Sequence, residues 1–390
     1  MFEVQNFLLT FVGMKRIFHI VSHFDMGGAE RVALNIAKSK NPDFEYHMVE
    51  VIRGRSAFTR QFISEMKQAN IHYHRSPIPV IHFHYVFEKL ATLLFPLWFY
   101  WLYRKYNPYM IHCHCEIPEL SIYHFYHLFH DLDSKTAVYR TIHNTSLWHG
   151  MKKTGVKVEE WLNDEGANIA ISKSVYENFK KEYGYEAPII YNGVEPSLTK
   201  KVYPQLKKDK INILFAGRME EQKGIKHLVS IIQNLKDDSR YHFHIIGEGR
   251  LKPLLVNELK GQENVSINPP LYGLQSYLGS FDYLLMPSEH EGLAMLSIEA
   301  SMEGTPVIIN KALGLEETLP PDWPLKVNDN NLQAYLHLFE EVIPNGNREV
   351  WGKKAQEYAS ENFSIQKMRK AYEKKYGERH PFGGMFRKDK

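Results

Sequence analysis

A chain of 390 residues is longer than one ordinary hydrophobic core sustains, so two domains are expected. With 44% hydrophobic and 24% charged residues, it has the composition of a soluble globular protein. A net charge of +3 is too small to argue for nucleic acid, and it leaves open an anionic ligand or a loose contact with an anionic membrane surface.

The opening "MFEVQNFLLTFVG" lacks the basic region and small-residue cleavage site of a secretion signal. Met14 begins "MKRIFHIV", which reads as a natural first strand, so residues 1–13 read as an N-terminal extension. "RIFHIV" is followed by the helical "GGAERVALNIAKSK". The β-rich runs "EYHMVEVI", "MIHCHC", "TAVYRTIHN" and "ANIAIS" come next, each trailed by an amphipathic or mixed segment. In "IHCHCE", strand alternation sends His112 and His114 to one face and Cys113 and Cys115 to the other. No second Cys/His pair has metal-ligand spacing, so the two cysteines read as core residues, without a disulfide framework, in a reducing cytoplasm. The apolar run "ATLLFPLWFYWLY", Ala91 to Tyr103, is too short for a bilayer, which takes about 20 residues. Two readings of it stand: a helix buried against a sheet, or an aromatic helix that touches a membrane or lipid acceptor, flanked by Lys89, Arg104 and Lys105.

"EPSLTKKVYPQLKKDK", with two prolines and five lysines, reads as a linker. After it the alternation restarts: "INILFAG", a helix from Lys223, "YHFHIIG", a helix from Arg250, "VSIN", "YLLMPS", a helix near Leu293 and "PVIIN". Strand–helix alternation calls for a parallel sheet with helices on both faces, and here it occurs twice. The expected organisation is an extension (1–13), a first domain (14–195), a linker (196–210), a second domain (211–363), a C-terminal helix (364–380) and a tail (381–390).

Four segments carry chemistry. In "DMGGAERVALNIA", Gly27 and Gly28 follow the first strand and open a helix, where backbone amides can approach a phosphate or sugar. Adjacent glycines followed by Arg31 do not make the G-x-G-x-x-G of a nicotinamide dehydrogenase. In "AGRMEEQKGIKHL", Arg218 stands just past a strand end and Lys223 five residues on. Two cations at a sheet mouth suit a diphosphate. "HIIGEGR" ends a third strand at Gly247 and Gly249, a weak signal alone. The fourth is "MPSEHEGLAMLSIEASMEGTPVI". Glu291 and Gly292 precede a helix whose exposed amides attract an anion, and Glu299 lies further along with apolar neighbours. A glutamate facing a sheet needs a partner, and ribose hydroxyls would serve. The spacing reads as a ruler: sugar hydroxyls at Glu291, phosphates at the helix start, ribose at Glu299.

"EGLAMLSIEA" resembles the E-x7-E signature of retaining glycosyltransferases of the GT-B fold, in the family-four group of bacterial cell-surface polysaccharide enzymes. The resemblance runs from Lys15 to Tyr376. "GGAERVALNIA", "IHCH", "AISKSV", "YNGV", "AGRMEEQKG", "IIGEG" and "EGTPVI" fall in the family's order. It implies an α/β, GT-B architecture: two facing Rossmann-like doubly wound domains with an inter-domain cleft, the donor held mainly by the second and the acceptor by the first. The resemblance assigns Arg218 and Lys223 to the leaving diphosphate and Glu299 to the ribose. Glu291, with the amides of Gly292, Leu293 and Ala294, surrounds the donor sugar and its phosphate. Gly28, beside Gly27, and Gly247 fall in glycine loops near the phosphates, and His143 lies near the donor sugar. Ser172 and Asn192 line the cleft, and the last helix crosses back to the first domain. The family often carries Phe or Leu and then Pro after the Glu-Gly pair. Here Leu293 is followed by Ala294, so sugar identity does not transfer.

The implied reaction moves a sugar with retention from a UDP- or GDP-sugar to a saccharide or lipid-linked acceptor, by front-face attack. The departing phosphate helps to deprotonate the acceptor while the protein positions groups and stabilises charge. His143 is either a general base or structural. No cofactor and no metal are expected, since two cations already face the diphosphate. "DLD", Asp131 to Asp133, spells a metal-binding pair but lies in a polar stretch and reads as loop. The expected site is cytoplasmic, with peripheral contact at the inner membrane face. The alternatives are a nucleotide-sugar epimerase of the same fold and a non-catalytic GT-B partner subunit; the intact Arg218, Lys223, Glu291 and Glu299 argue against the latter.

Overall fold

The computed structural model describes residues 14–25, 27–80, 84–130, 132 and 136–378. The extension, Asp131 and Asp133 of "DLD", and the tail lie outside the described residues. The chain forms two compact units. One takes residues up to Thr141, Trp148–Asn168 and residues from Lys374 on; the other takes Ile142–Leu147 and Ile169–Glu373.

The first unit is built on β1 (Lys15–Val21), β2 (Phe44–Glu50), β3 (His72–His74), β4 (Met110–His114), β5 (Ala137–Ile142) and β6 (Asn168–Ala170). They are ordered β3-β2-β1-β4-β5-β6, and pairing is parallel from β3 to β5. Ile17, Phe18, Ile20 and Val21 are fully buried, as in a strand covered on both faces. β3 was not foreseen: it is a three-residue edge strand whose "HYH" has no apolar run to announce it. β4 ends at His114, so Cys115 does not share a strand face with Cys113. It caps the helix Glu116–Leu128 at φ 71°. Both thiols are free, and burial raises their pKa.

One buried charge cluster ties this sheet to its helices. Arg140 on β5 is fully buried. Its Nη1 donates to Glu119 (3.1 Å) and Glu159 (2.7 Å), its Nη2 pairs with Glu159, and its Nε donates to Asn168 Oδ1 at 2.9 Å. Trp148 Nε1 also donates to Glu159, at 2.7 Å. Two carboxylates share one guanidinium in a dry site, and Glu119 is pushed up to about 8, by burial first and by Glu159 and Glu116 next.

The helix His84–Tyr106 carries the aromatic run. Ala91, Phe95, Phe99 and Tyr103 recur every four residues and are buried, with Phe99 edge-on to both Phe18 and Phe125. Its other side is also apolar: Leu90, Leu93, Leu94 and Leu97 are exposed, and Trp101 is 73% exposed. The buried-helix reading therefore accounts for one side only. Among the described residues no helix is long and apolar enough to cross a membrane.

The second unit repeats the plan with β7 (Ile211–Ala216), β8 (Tyr241–Ile246), β9 (Val265–Asn268), β10 (Tyr283–Met286), β11 (Val307–Asn310) and β12 (Lys326–Val327). The order is β12-β11-β10-β7-β8-β9, all parallel. The helix expected from Lys223 starts two residues later, at Ile225, after a 3-10 turn over Glu221–Lys223. The helix expected near Leu293 runs Met295–Met302.

Two measurements check these cores. Arg140→Met leaves two buried carboxylates without a counter-charge, and urea denaturation should show a loss of about 3–5 kcal/mol. Burial also holds six histidines neutral: His19, His143 and His244 are pushed down to about 3, and His47, His74 and His242 to about 4. Unfolding lets them bind protons below their ordinary 6.5, so they oppose folding as the pH falls through that range. Glu30 and Glu165, raised to about 7, and Glu119, raised to about 8, act in the opposite sense above about 4.5, but are fewer. The melting temperature should therefore fall steadily from pH 6.5 to pH 4.5. A flat profile there contradicts this balance.

Candidate active site

Chain direction decides where a ligand can enter the second sheet. From β7 the chain builds β8 and β9 on one side, then returns to build β10, β11 and β12 on the other. A crevice opens beyond the carboxyl ends of β7 and β10, where open α/β sheets bind ligands. β7 leads through Gly217 to Arg218, and β10 leads through Pro287 and Ser288 to Glu291.

The two loops meet. Lys223 Nζ lies 2.6 Å from Glu291 Oε1, with the lysine side chain 19% exposed and the glutamate 9%. Gly224 makes this approach sterically allowed: its φ is 69°, and a Cβ there would stand 1.9 Å from the Pro287 carbonyl oxygen. Gly247, after β8, packs equally tightly, since a Cβ would meet the Gly217 carbonyl oxygen at 1.9 Å. Met219 N donates to Glu248 O at 2.7 Å. Asn310, at the end of β11, donates to Ser288 O at 3.0 Å and accepts from Asn330 N at 2.9 Å, which pins the loop before Glu291.

The three charges are not equivalent. Lys223 is engaged by Glu291, while Arg218 is exposed and its guanidinium has no ion-pair partner among the described residues. An ammonium carries three protons, so Lys223 can keep Glu291 and still donate to a phosphate. Of the two cations, one is held in place and the other has a guanidinium whose planar fork of donors suits bidentate contacts.

The helix start is partly closed. Ala294 N donates to Gly314 O at 2.8 Å, and Glu291 N donates to Leu313 O at 2.8 Å. The expected set of three amides thus reduces to Gly292 and Leu293, whose N–H groups have no acceptor among the described residues. Glu299 is half-buried, about one turn inside Met295–Met302. It makes contacts within the protein.

His143 belongs to the same unit, and its carbonyl packs on Gly292, where a Cβ would come within 2.2 Å. Desolvation holds its ring pKa down to about 3, so it is neutral at physiological pH. A neutral imidazole can accept a hydrogen bond from a hydroxyl or donate one to it. Ser172 caps the helix Lys173–Tyr183: its hydroxyl accepts from Val175 N at 3.0 Å and donates to Gly292 O at 2.6 Å. That hydroxyl is therefore structural. Asn192 is buried, and its Oδ1 has no hydrogen-bond partner among the described residues. Gly27 and Gly28 belong to the first unit, where Gly28 opens the helix Gly28–Ala37 and a Cβ on it would meet nothing within 4 Å. Internal packing thus gives no reason for that glycine.

Sequence reasoning missed two supports. Glu317 accepts from Lys173 N (3.1 Å) and Ser174 N (3.2 Å), so it neutralises a helix start beside the Ser172–Gly292 contact. Gly314, at φ 72°, lets its loop reach Glu291 and Ala294. "LGLEE" held a hint, a glycine followed by two acids, but nothing in it named the partners.

Comparison with known proteins finds relatives of the sequence and of the fold. The family described as "Glycosyltransferase Family 4" matches residues 26–198, and that described as "Glycosyl transferases group 1" matches residues 210–342. A 41.2 kDa protein in the cps region of Klebsiella pneumoniae is 32% identical over 183 residues, which cover 43% of this chain and 46% of that protein. The capsular polysaccharide biosynthesis glycosyltransferase CapH of Staphylococcus aureus is 22% identical over 311 residues, covering 74% of this chain and 79% of CapH. Several other curated relatives are likewise matched over about half of their length. The crystal structure of Anabaena Alr3699/HepE in complex with UDP and glucose superposes with a TM-score of 0.74 at 15% identity, covering 94% of this chain and all of that one. At that identity the likeness speaks for the fold.

Removing the lysine tests the pairing. Lys223→Met leaves Glu291 buried without a counter-charge, and urea denaturation should show a loss of roughly 3 kcal/mol. Lys223→Met/Glu291→Gln should recover part of it. Gly224→Ala should cost more than about 1–2 kcal/mol, the left-handed penalty alone, because the Pro287 carbonyl must also move.

Proposed function

We propose that this chain, which belongs to the family-four glycosyltransferases of the GT-B fold, transfers a sugar from a nucleotide-diphosphate sugar to a saccharide or lipid-linked saccharide in cell-surface polysaccharide synthesis. The observation that carries this reading is the Lys223–Glu291 pair at the switch point of the second sheet, with Arg218 unengaged just past the end of β7. The C1–O bond to the diphosphate breaks, the acceptor oxygen bonds to C1, and the acceptor proton passes to a departing phosphate oxygen. Attack from the face that the diphosphate leaves retains configuration. Arg218 and Lys223 stabilise the charge that develops on the leaving group, with no metal assigned to that task. Glu291 and neutral His143 orient the sugar, and Glu299 holds the ribose.

The donor is a UDP- or GDP-sugar, with the UDP complex of the Anabaena structure favouring UDP. CapH is named for capsule synthesis, which favours a cell-surface acceptor. Contact with the inner membrane face is supported by the row Leu90, Leu93, Leu94, Leu97 and Trp101, bracketed by the exposed Lys89, Arg104 and Lys105.

A thermal-shift and donor-hydrolysis screen with UDP-, GDP- and ADP-sugars, run without metal, checks the donor site. One nucleotide class should raise the melting temperature of the wild type and not that of Arg218→Ala or Glu299→Ala. Turnover of Arg218→Ala should fall about 100-fold, as for loss of one preorganised donor of roughly 3 kcal/mol. No shift with any donor on folded protein sinks the reading. Separately, the chain should co-sediment with anionic liposomes at low salt, and Leu97→Glu/Trp101→Glu should abolish this.

A further inference from the structure

β2 and β3 are parallel neighbours with His47 directly opposite His72 and Val49 opposite His74. Alternation puts Glu45 and His47 on one face of β2, and His72 and His74 on the same face of β3. Two short words, E-x-H and H-x-H, thus bring four metal-ligand side chains together at the edge of the first sheet. The Proposed function uses none of them.

The geometry is specific. Glu45 Oε1 lies 2.8 Å from His47 Nε2 and 3.6 Å from His72 Nε2. With bonds of about 2.0–2.1 Å, tetrahedral ligands stand roughly 3.3 Å apart, and the two distances bracket that value. The outer contacts also suit a metal. Glu45 Oε2 is held by Arg16 Nε at 3.2 Å, and Arg16 Nη1 is anchored on Tyr106 O at 2.9 Å, which leaves Oε1 to the two imidazoles. Without metal, His47 Nε2 donates to Glu45 Oε1 and Nδ1 lies 2.9 Å from His74 Nε2; an ion takes the place of the Nε2 proton, and His47 in its Nδ1–H form then donates to His74. Metal-bound imidazoles commonly donate their other N–H in this way. His47 is buried against Phe18 and Tyr106, while the His72 side chain is 58% exposed, so the site has a rigid wall and a mouth.

The other histidine group, His19, His112 and His114, does not match it. It offers no carboxylate, and both ring nitrogens of His112 are engaged by hydroxyls, Tyr376 (2.7 Å) and Thr141 (2.8 Å), whereas the Nε2 partner of His47 is itself the carboxylate ligand Glu45.

We propose that Glu45, His47 and His72 bind one divalent first-row transition ion, with zinc as the working probe, in a site oriented by His74 and Arg16. Two imidazoles and one carboxylate leave a position for water, and the ion fastens the three-residue edge strand β3 to β2. It takes no part in sugar transfer, and the test does not depend on that reaction.

The experiment uses the untagged full chain, stripped with chelator and desalted. Zinc is followed by calorimetry and melting temperature, and Co2+ by its visible ligand-field absorption. The wild type should take up one equivalent tightly, show the intense absorption of four-coordinate cobalt, and melt higher with zinc. His72→Ala removes a mostly exposed side chain, so its metal-free melting temperature should match the wild type. It should lose that equivalent, weakening it more than the roughly 10–100-fold that loss of an outer partner costs. Glu45→Gln should do the same. Equal uptake by wild type and both variants makes the binding adventitious among the other histidines and overturns the proposal, as does no tight uptake by the wild type.

Discussion

The second unit depends on a constraint of opposite charges: Lys223 and Glu291 are drawn from two strands to within 2.6 Å at the point where the sheet changes direction. Either residue alone at that depth would be costly, because a mostly buried charge needs a partner. Together they fix the loops after β7 and β10 against each other. The loops can come so close only because Gly224 presents no side chain to Pro287. Charge and packing therefore act on the same few residues: the glycine admits the lysine, the lysine neutralises the glutamate, and Arg218 is left without an ion-pair partner among the described residues.

The first unit solves the same problem of buried polarity with different chemistry. Arg140 lies between Glu119 and Glu159 under a sheet that also buries His19, His112 and His114. Most of these groups bond to one another, to Asn168 or to hydroxyls, as buried polar groups require, while His19 Nε2 has no hydrogen-bond partner among the described residues. The outcome is a core rich in neutral histidine, and its stability is tied to pH more closely than that of an apolar core.

Much of this was legible in the residues. Strands such as Lys15–Val21 and Ile211–Ala216 announce themselves as continuous apolar runs because both faces are covered. The edge strands His72–His74 and Lys326–Val327 did not, since two or three residues with polar members leave no pattern. At the site, Arg218, Lys223 and Glu291 could be picked out by their places after strand ends, but the bond between Lys223 and Glu291 could not, because it depends on strand order. The Ala294 amide was expected at the donor phosphate and Ser172 as a cleft-lining residue. The structure gives the Ala294 amide to Gly314 and the Ser172 hydroxyl to Gly292, contacts between segments far apart in the chain. His143 was open between base and scaffold, and the contact of its carbonyl with Gly292 depends on packing that no local pattern announces.

The most direct test of the central claim is a crystal structure of the chain with UDP, or with GDP if the screen selects it. Phosphate oxygens should lie within about 3 Å of Lys223 Nζ and of the Arg218 guanidinium, with Lys223 still in contact with Glu291. A nucleotide whose phosphates lie away from both cations, with the Lys223–Glu291 pair undisturbed, would contradict it.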